Sequence, residues 1–129
     1  MILFDKDSIE ADFKAFPGAT DPLLIACLLQ LSVMHNDLNF ILTSGKRTPE
    51  HNKDIKGIAD SGHCTKPLTA FDLDIRNKAT GEHIGMEERR KIKEFLQFWW
   101  EDLFDWVLYE PPDHHVHLEV DKPFRKTVI

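Results

Sequence analysis

The chain has 129 residues, 42% of them hydrophobic and 29% charged, with a formal net charge of −6. That length fits one domain over residues 1–129, able to bury roughly two-thirds of its unfolded surface, and the acidic balance argues against a nucleic-acid backbone as the main partner. Two cysteines without C-x-x-C spacing argue against a structural zinc knot, and no apolar run reaches the roughly 18 residues of a membrane span.

The opening "MILFDKDSIE" lacks the basic and sustained apolar regions of a secretion signal, which predicts a soluble protein without one. "DSIEADFKAF" predicts a short helix capped by Asp7, with Glu10 at the capping-box position and an apolar stripe of Ile9, Phe13 and Phe16. After the breaker "FPGATDP", Asp21 and Pro22 read as N-cap and first residue of a second helix. There Leu24, Cys27, Leu28, Leu31 and Met34 recur at helical spacing, which predicts a core helix and a core position for Cys27. His35 near its end reads as a side chain that interacts with the helix dipole.

"NFILTSG" predicts a strand ending at Gly45, and "RTPEHNKDIKG" a short helix capped by Thr48, begun by Pro49 and ended by Gly57. "IADSGHCTKPLT" is a polar loop leading into the strand "AFDLDI", and "RNKATGEHIG" carries the residues of a hairpin or wide turn. Met86 to Leu103 predicts a long helix with Ile92, Phe95, Leu96, Trp99 and Leu103 on one stripe. "DWVLYE" and "HVHLEV" follow as strands, separated by Pro111, Pro112 and Asp113. Repeats and low-complexity segments are missing from the sequence.

Two of these strands share one design. In "AFDLDI" Phe71, Leu73 and Ile75 alternate with Asp72 and Asp74, and in "HHVHLEV" Val116, Leu118 and Val120 alternate with His115, His117 and Glu119. If both apolar faces lie on the same helices, the polar faces coincide and bring carboxylates near imidazoles. Imidazole nitrogen and carboxylate oxygen are both zinc ligands, and a catalytic zinc takes three protein ligands plus water. His63, in the loop before "AFDLDI", is the best third ligand.

The segments "TSGKRTPEHN", "SGH", "AFDLDI" and "HVH", in this order, resemble the zinc D-alanyl-D-alanine carboxypeptidase and L-alanyl-D-glutamate endopeptidase family over about residues 40–120. That family includes bacterial cell-wall enzymes and phage endolysins, and shares its core with lysostaphin-type peptidases and the zinc domain of hedgehog proteins. The resemblance implies an α+β fold, a small and mostly antiparallel sheet with helices packed on one face and a zinc cleft on the other. It implies His63, Asp72 and His117 as ligands of Zn2+. Arg47 becomes the residue that steadies a substrate carbonyl or carboxylate and the oxyanion that forms, and His115 a residue that handles the water. The substrate implied is a peptidoglycan stem peptide, acted on in the cell wall by a protein that is cytoplasmic until lysis or phage-associated.

This chain departs from the family pattern in three places. From His63 to Asp72 is a longer spacing than usual, as though "CTKPLT" carried extra residues, which makes Asp74 a competitor of Asp72. The family's carboxylate three residues before the last ligand is here His114, so the general base is open among Glu110, His115 and His114. His51 and His83 match nothing catalytic and read as surface residues. Arg47 has a structural alternative in pairing with a nearby acid. Ser61, a candidate substrate-binding residue, suits local loop hydrogen bonding better than a nucleophile's role. The competing function is a zinc-containing binding module of the same fold without turnover; a metal nuclease conflicts with the acidic charge.

Overall fold

A computed structural model describes residues 1–15, 18–57, 61–109 and 111–125. It begins with a three-residue strand, β1 (Ile2–Phe4), which the sequence did not suggest. Helix α1 (Asp7–Lys14) follows, and its N-cap is Lys6, with no side-chain capping bond. Asp7 therefore does not cap; it lies in the first turn, where its charge favours the positive end of the helix dipole. Phe16, assigned to the same apolar stripe, lies outside the described residues.

Helix α2 (Pro22–Met34) starts as expected, with the Asp21 carboxylate accepting from the Leu23 N–H at 2.9 Å. At its end His35 sits at the C-cap, its Nδ1 3.2 Å from the Leu31 carbonyl. The helix carries no charge, and Leu24, Cys27, Leu28 and Leu31 are fully buried. Met34, placed on the core stripe by periodicity, is instead 55% exposed. On a helix apolar all round, spacing alone does not say which side faces inward.

Strand β2 (Leu38–Ser44) leads to helix α3 (Pro49–Asp54), where the Thr48 side chain accepts from the His51 N–H. Strand β3 (Ala70–Asn77), helix α4 (Met86–Trp100), strand β4 (Phe104–Leu108) and strand β5 (His115–Val120) complete the elements. α4 is shorter than expected: it stops at Trp100, and Glu101–Leu103 forms a separate 3-10 turn. Trp99 is consequently not a core residue but 54% exposed, while Trp100 turns towards α2 and donates its indole N–H to Gln30 at 2.6 Å.

The fold is α+β, with a five-stranded mixed sheet in the order β1-β2-β3-β5-β4. β1 and β2 run parallel and all other pairs are antiparallel. The β3–β5 register sets Phe71 opposite Leu118 and Leu73 opposite Val116, so both strands present their apolar residues on one side. That side joins one core with Ile9 of α1, Leu24, Leu28 and Leu31 of α2, and Ile92 and Leu96 of α4. Each such buried aliphatic side chain contributes about 1.5–3 kcal/mol relative to an exposed one. The same register places Asp72 opposite His117 and Asp74 opposite His115 on the other side of the sheet. Among the described residues no helix is long and apolar enough to cross a membrane.

Candidate metal centre

His63, Asp72 and His117 converge on that polar side. His63 Nε2 lies 3.2 Å from Asp72 Oδ1 and 3.3 Å from His117 Nδ1, and His117 Nδ1 lies 2.9 Å from Asp72 Oδ1. Among the described residues this is the group of three whose donor atoms could hold a metal ion. His63 is 1% exposed, so its imidazole is fixed by the fold.

The loop that delivers His63 is held along its length. The Ser61 side chain accepts from the His63 N–H, the His63 carbonyl accepts from the Arg47 N–H, and the Gly62 carbonyl accepts from the Thr69 N–H at the foot of β3. Thr65 folds the segment back on itself, its hydroxyl 2.9 Å from the Gly62 carbonyl and 2.8 Å from the Thr69 hydroxyl. "CTKPLT" is thereby taken up in a compact loop, and His63 meets Asp72 across nine positions of sequence.

Tautomers follow from the surroundings. His63 Nδ1 lies 2.6 Å from the Gly45 carbonyl, which can only accept. The proton therefore sits on Nδ1 and the lone pair on Nε2, facing Asp72 and His117. His117 Nε2 lies 3.7 Å from Glu119 Oε1, which puts an anion behind the second imidazole. Burial alone would push the His117 pKa down, but the Asp72 and Glu119 carboxylates outweigh it and raise the value to about 9. Burial likewise pushes the Asp72 carboxyl up, yet the hydrogen bond from His117 and the adjacent imidazoles hold it well below the usual carboxylate range. The Asp72 and Glu119 carboxylates beside the ring thus favour the protonated form of His117.

Arg47 borders this point. Its guanidinium lies 3.7 Å from Asp72 Oδ2 and donates to the Asn52 side-chain oxygen at 2.9 Å. It thus both pairs with an acid and lines the cleft that contains His63, Asp72 and His117. Ser61 lines the same cleft while bonding to the His63 backbone. An adjoining cleft contains His115, Asp74 and Asp113, and the two share Asp72 and Tyr109.

His115 is not at the donor point itself. It is half exposed, and Asp113 Oδ1 accepts from its backbone N–H at 2.8 Å and lies 3.0 Å from its Nδ1. Asp74, the rival ligand, is turned away: its carboxylate bonds Arg76 Nε at 2.9 Å and His83 Nδ1 at 2.6 Å. His83 is exposed, as expected, but it is engaged with Asp74 and stacks on His114 at 4.1 Å between ring centroids. Glu110 lies outside the described residues.

Glu119, Asn52, Asp113 and Tyr109 were not singled out from the sequence as parts of a site. Glu119 had a signal, its place on the His115 and His117 side of "HVHLEV". Its carboxyl is pushed up by burial but held below the usual range by His117, the Gly62 N–H and Arg125. Comparison with family models, curated proteins and solved structures finds no match to this chain.

Proposed function

We propose that the protein is a zinc-dependent peptidase that hydrolyses a peptide bond in peptidoglycan stem peptides. The observation that carries this reading is the convergence of His63 Nε2, Asp72 Oδ1 and His117 Nδ1 beside the Arg47 guanidinium. Zinc bonds of about 2.0–2.1 Å in tetrahedral geometry require ligand atoms about 3.3 Å apart, and the three separations here are 3.2, 3.3 and 2.9 Å. Both imidazoles also have an acceptor behind the second nitrogen, the Gly45 carbonyl and the Glu119 carboxylate, as metal-bound histidines usually do. The α+β sheet with helices on one side and the donors on the other agrees with the family resemblance in "SGKR", "SGH", "AFDLDI" and "HVH".

Bound zinc supplies a Lewis acid for the scissile carbonyl and lowers the pKa of water towards about 7. The chain supplies the remainder. Arg47, aimed by Asn52, offers a fixed cation to the oxyanion that grows on the substrate carbonyl. His115, with Nδ1 turned to Asp113, leaves Nε2 free to take up and return a proton. The joined clefts give an extended substrate a path over the donor point, past Tyr109.

A second reading, a zinc-containing binding module without turnover, is favoured by one observation. His114, which stands where the family's carboxylate stands, stacks on His83 and does not line the donor cleft. Release of new amino groups from purified peptidoglycan by the zinc-loaded protein, absent in His63→Ala, tests the peptidase reading. A zinc-loaded wild type that binds peptidoglycan but releases none decides for the binding module.

A further inference from the structure

We propose that Glu119 is a positioning residue of the metal centre, its one carboxylate holding the His117 imidazole and the His63 loop together and so setting the affinity for a divalent cation. The inference rests on the reading of His63, Asp72 and His117 as metal ligands.

β5 places Glu119 two residues after His117, on the same side of the sheet and opposite Ala70 of β3 and Asp105 of β4. Its Oε1 accepts from the Gly62 N–H, the residue before His63, and lies 3.7 Å from His117 Nε2. Its Oε2 lies 2.9 Å from Arg125 Nη2, and Arg125 Nε donates to the Val120 carbonyl at 2.8 Å. The carboxylate is therefore held from behind while it reaches two ligands that are far apart in sequence.

Each contact has a consequence for the donors. An anion beside Nε2 keeps the His117 proton on that nitrogen and turns the Nδ1 lone pair towards Asp72 and His63. The bond to Gly62 fixes the backbone from which His63 projects. Gly62 can come this close only without a side chain: a Cβ there would overlap Glu119 Oε1 and approach Thr69 Oγ1 to 2.7 Å. The glycine of "SGH" is thus explained by the carboxylate against it.

The test is zinc titration of the metal-free full chain against a chromophoric chelator, with wild type beside Glu119→Gln and Glu119→Ala. Glu119→Gln keeps an acceptor for Gly62 but loses the charge at His117. Its zinc affinity should fall about 10–100-fold, the usual effect of losing an outer partner of a metal-bound histidine. Glu119→Ala should bind at least as weakly. The cobalt-substituted Gln variant should show a shifted visible absorption band, which a merely structural role does not produce. Wild-type affinity in Glu119→Gln, with stoichiometric zinc in the wild type, overturns the proposal. If the wild type itself takes up no zinc, the metal-centre reading fails, and this proposal fails with it.

Discussion

Asp72 and His117 are direct cross-strand partners, and their side chains meet with Oδ1 and Nδ1 2.9 Å apart. Asp74 and His115 are partners in the same register one step along, yet their side chains go to Arg76 and His83 in one case and Asp113 in the other. The two aspartates of "AFDLDI" thus have separate tasks. Asp72→Asn should abolish stoichiometric zinc binding, whereas Asp74→Asn should retain it and lose stability through the Arg76 and His83 contacts, by about 1–3 kcal/mol. Metal content after dialysis, with urea denaturation of both variants, checks this. Zinc retained in Asp72→Asn and lost in Asp74→Asn would reverse the assignment.

Protonation gives opposite pH responses with and without metal. In the metal-free fold the His117 pKa is raised to about 9, so its stabilisation is complete below the ordinary imidazole value of about 6.5 and is lost as pH rises through about 9. Asp72 is shifted down, so its contribution is present above about 3.9 and is lost only as pH falls below that value towards its folded pKa. The metal-free melting temperature should therefore decline from pH 6.5 to 9. Zinc must displace the His117 proton, so its apparent affinity should climb over the same interval by about tenfold per pH unit. Competition titrations at stepped pH measure the slope, and a flat line contradicts a metal–proton exchange at His117.

Metal loading should also be visible as heat resistance. Free zinc at a hundredfold excess over its Kd adds about 2.7 kcal/mol to the folded state. For a chain of this size that corresponds to a rise in Tm on the order of 10 °C. Chelator should reverse it, and His63→Ala should show no rise. An identical Tm with and without zinc in the wild type would count against the site.

On the peptidase reading, Arg47 should separate binding of the metal from chemistry on the substrate. Arg47→Met should lower kcat/KM on peptidoglycan peptides by about 10²–10³, the cost of removing an oxyanion-stabilising donor. Zinc affinity should change little, because the guanidinium lies against Asp72 Oδ2 and not against the donor oxygen Oδ1. Steady-state kinetics beside a zinc titration of the same variant compare the two effects. Unchanged turnover leaves Arg47 a structural residue, bound to Asn52, Ser44, Asp72 and the His63 carbonyl.

What could be read from the chain depended on periodicity. β3 and β5 alternate strictly, so their apolar and polar sides were legible from Phe71 to Ile75 and from His115 to Val120. Their pairing was not written in either segment; it followed from assuming one core beneath both, and the structure bears that assumption out. β1 escaped notice because three apolar residues offer no alternation, and its parallel partner β2 is far along the chain. Met34 and Trp99 were misplaced because a helix period identifies a stripe but not where tertiary packing ends it. Asn52 and Asp113 could not be picked out as residues that aim Arg47 and His115, since an amide or carboxylate in a polar segment looks the same whether it orients a neighbour or faces water.

The strand order carries a consequence for biogenesis. β5 is the last strand of the described residues in chain order, yet it occupies the slot between β3 and β4. A growing polypeptide that has already emitted His63 and Asp72 still lacks the surface on which the third donor arrives. On the metal-centre reading, the three donors stand together only once β5 has paired with β3, so an ion bound by all three would require that last strand in place.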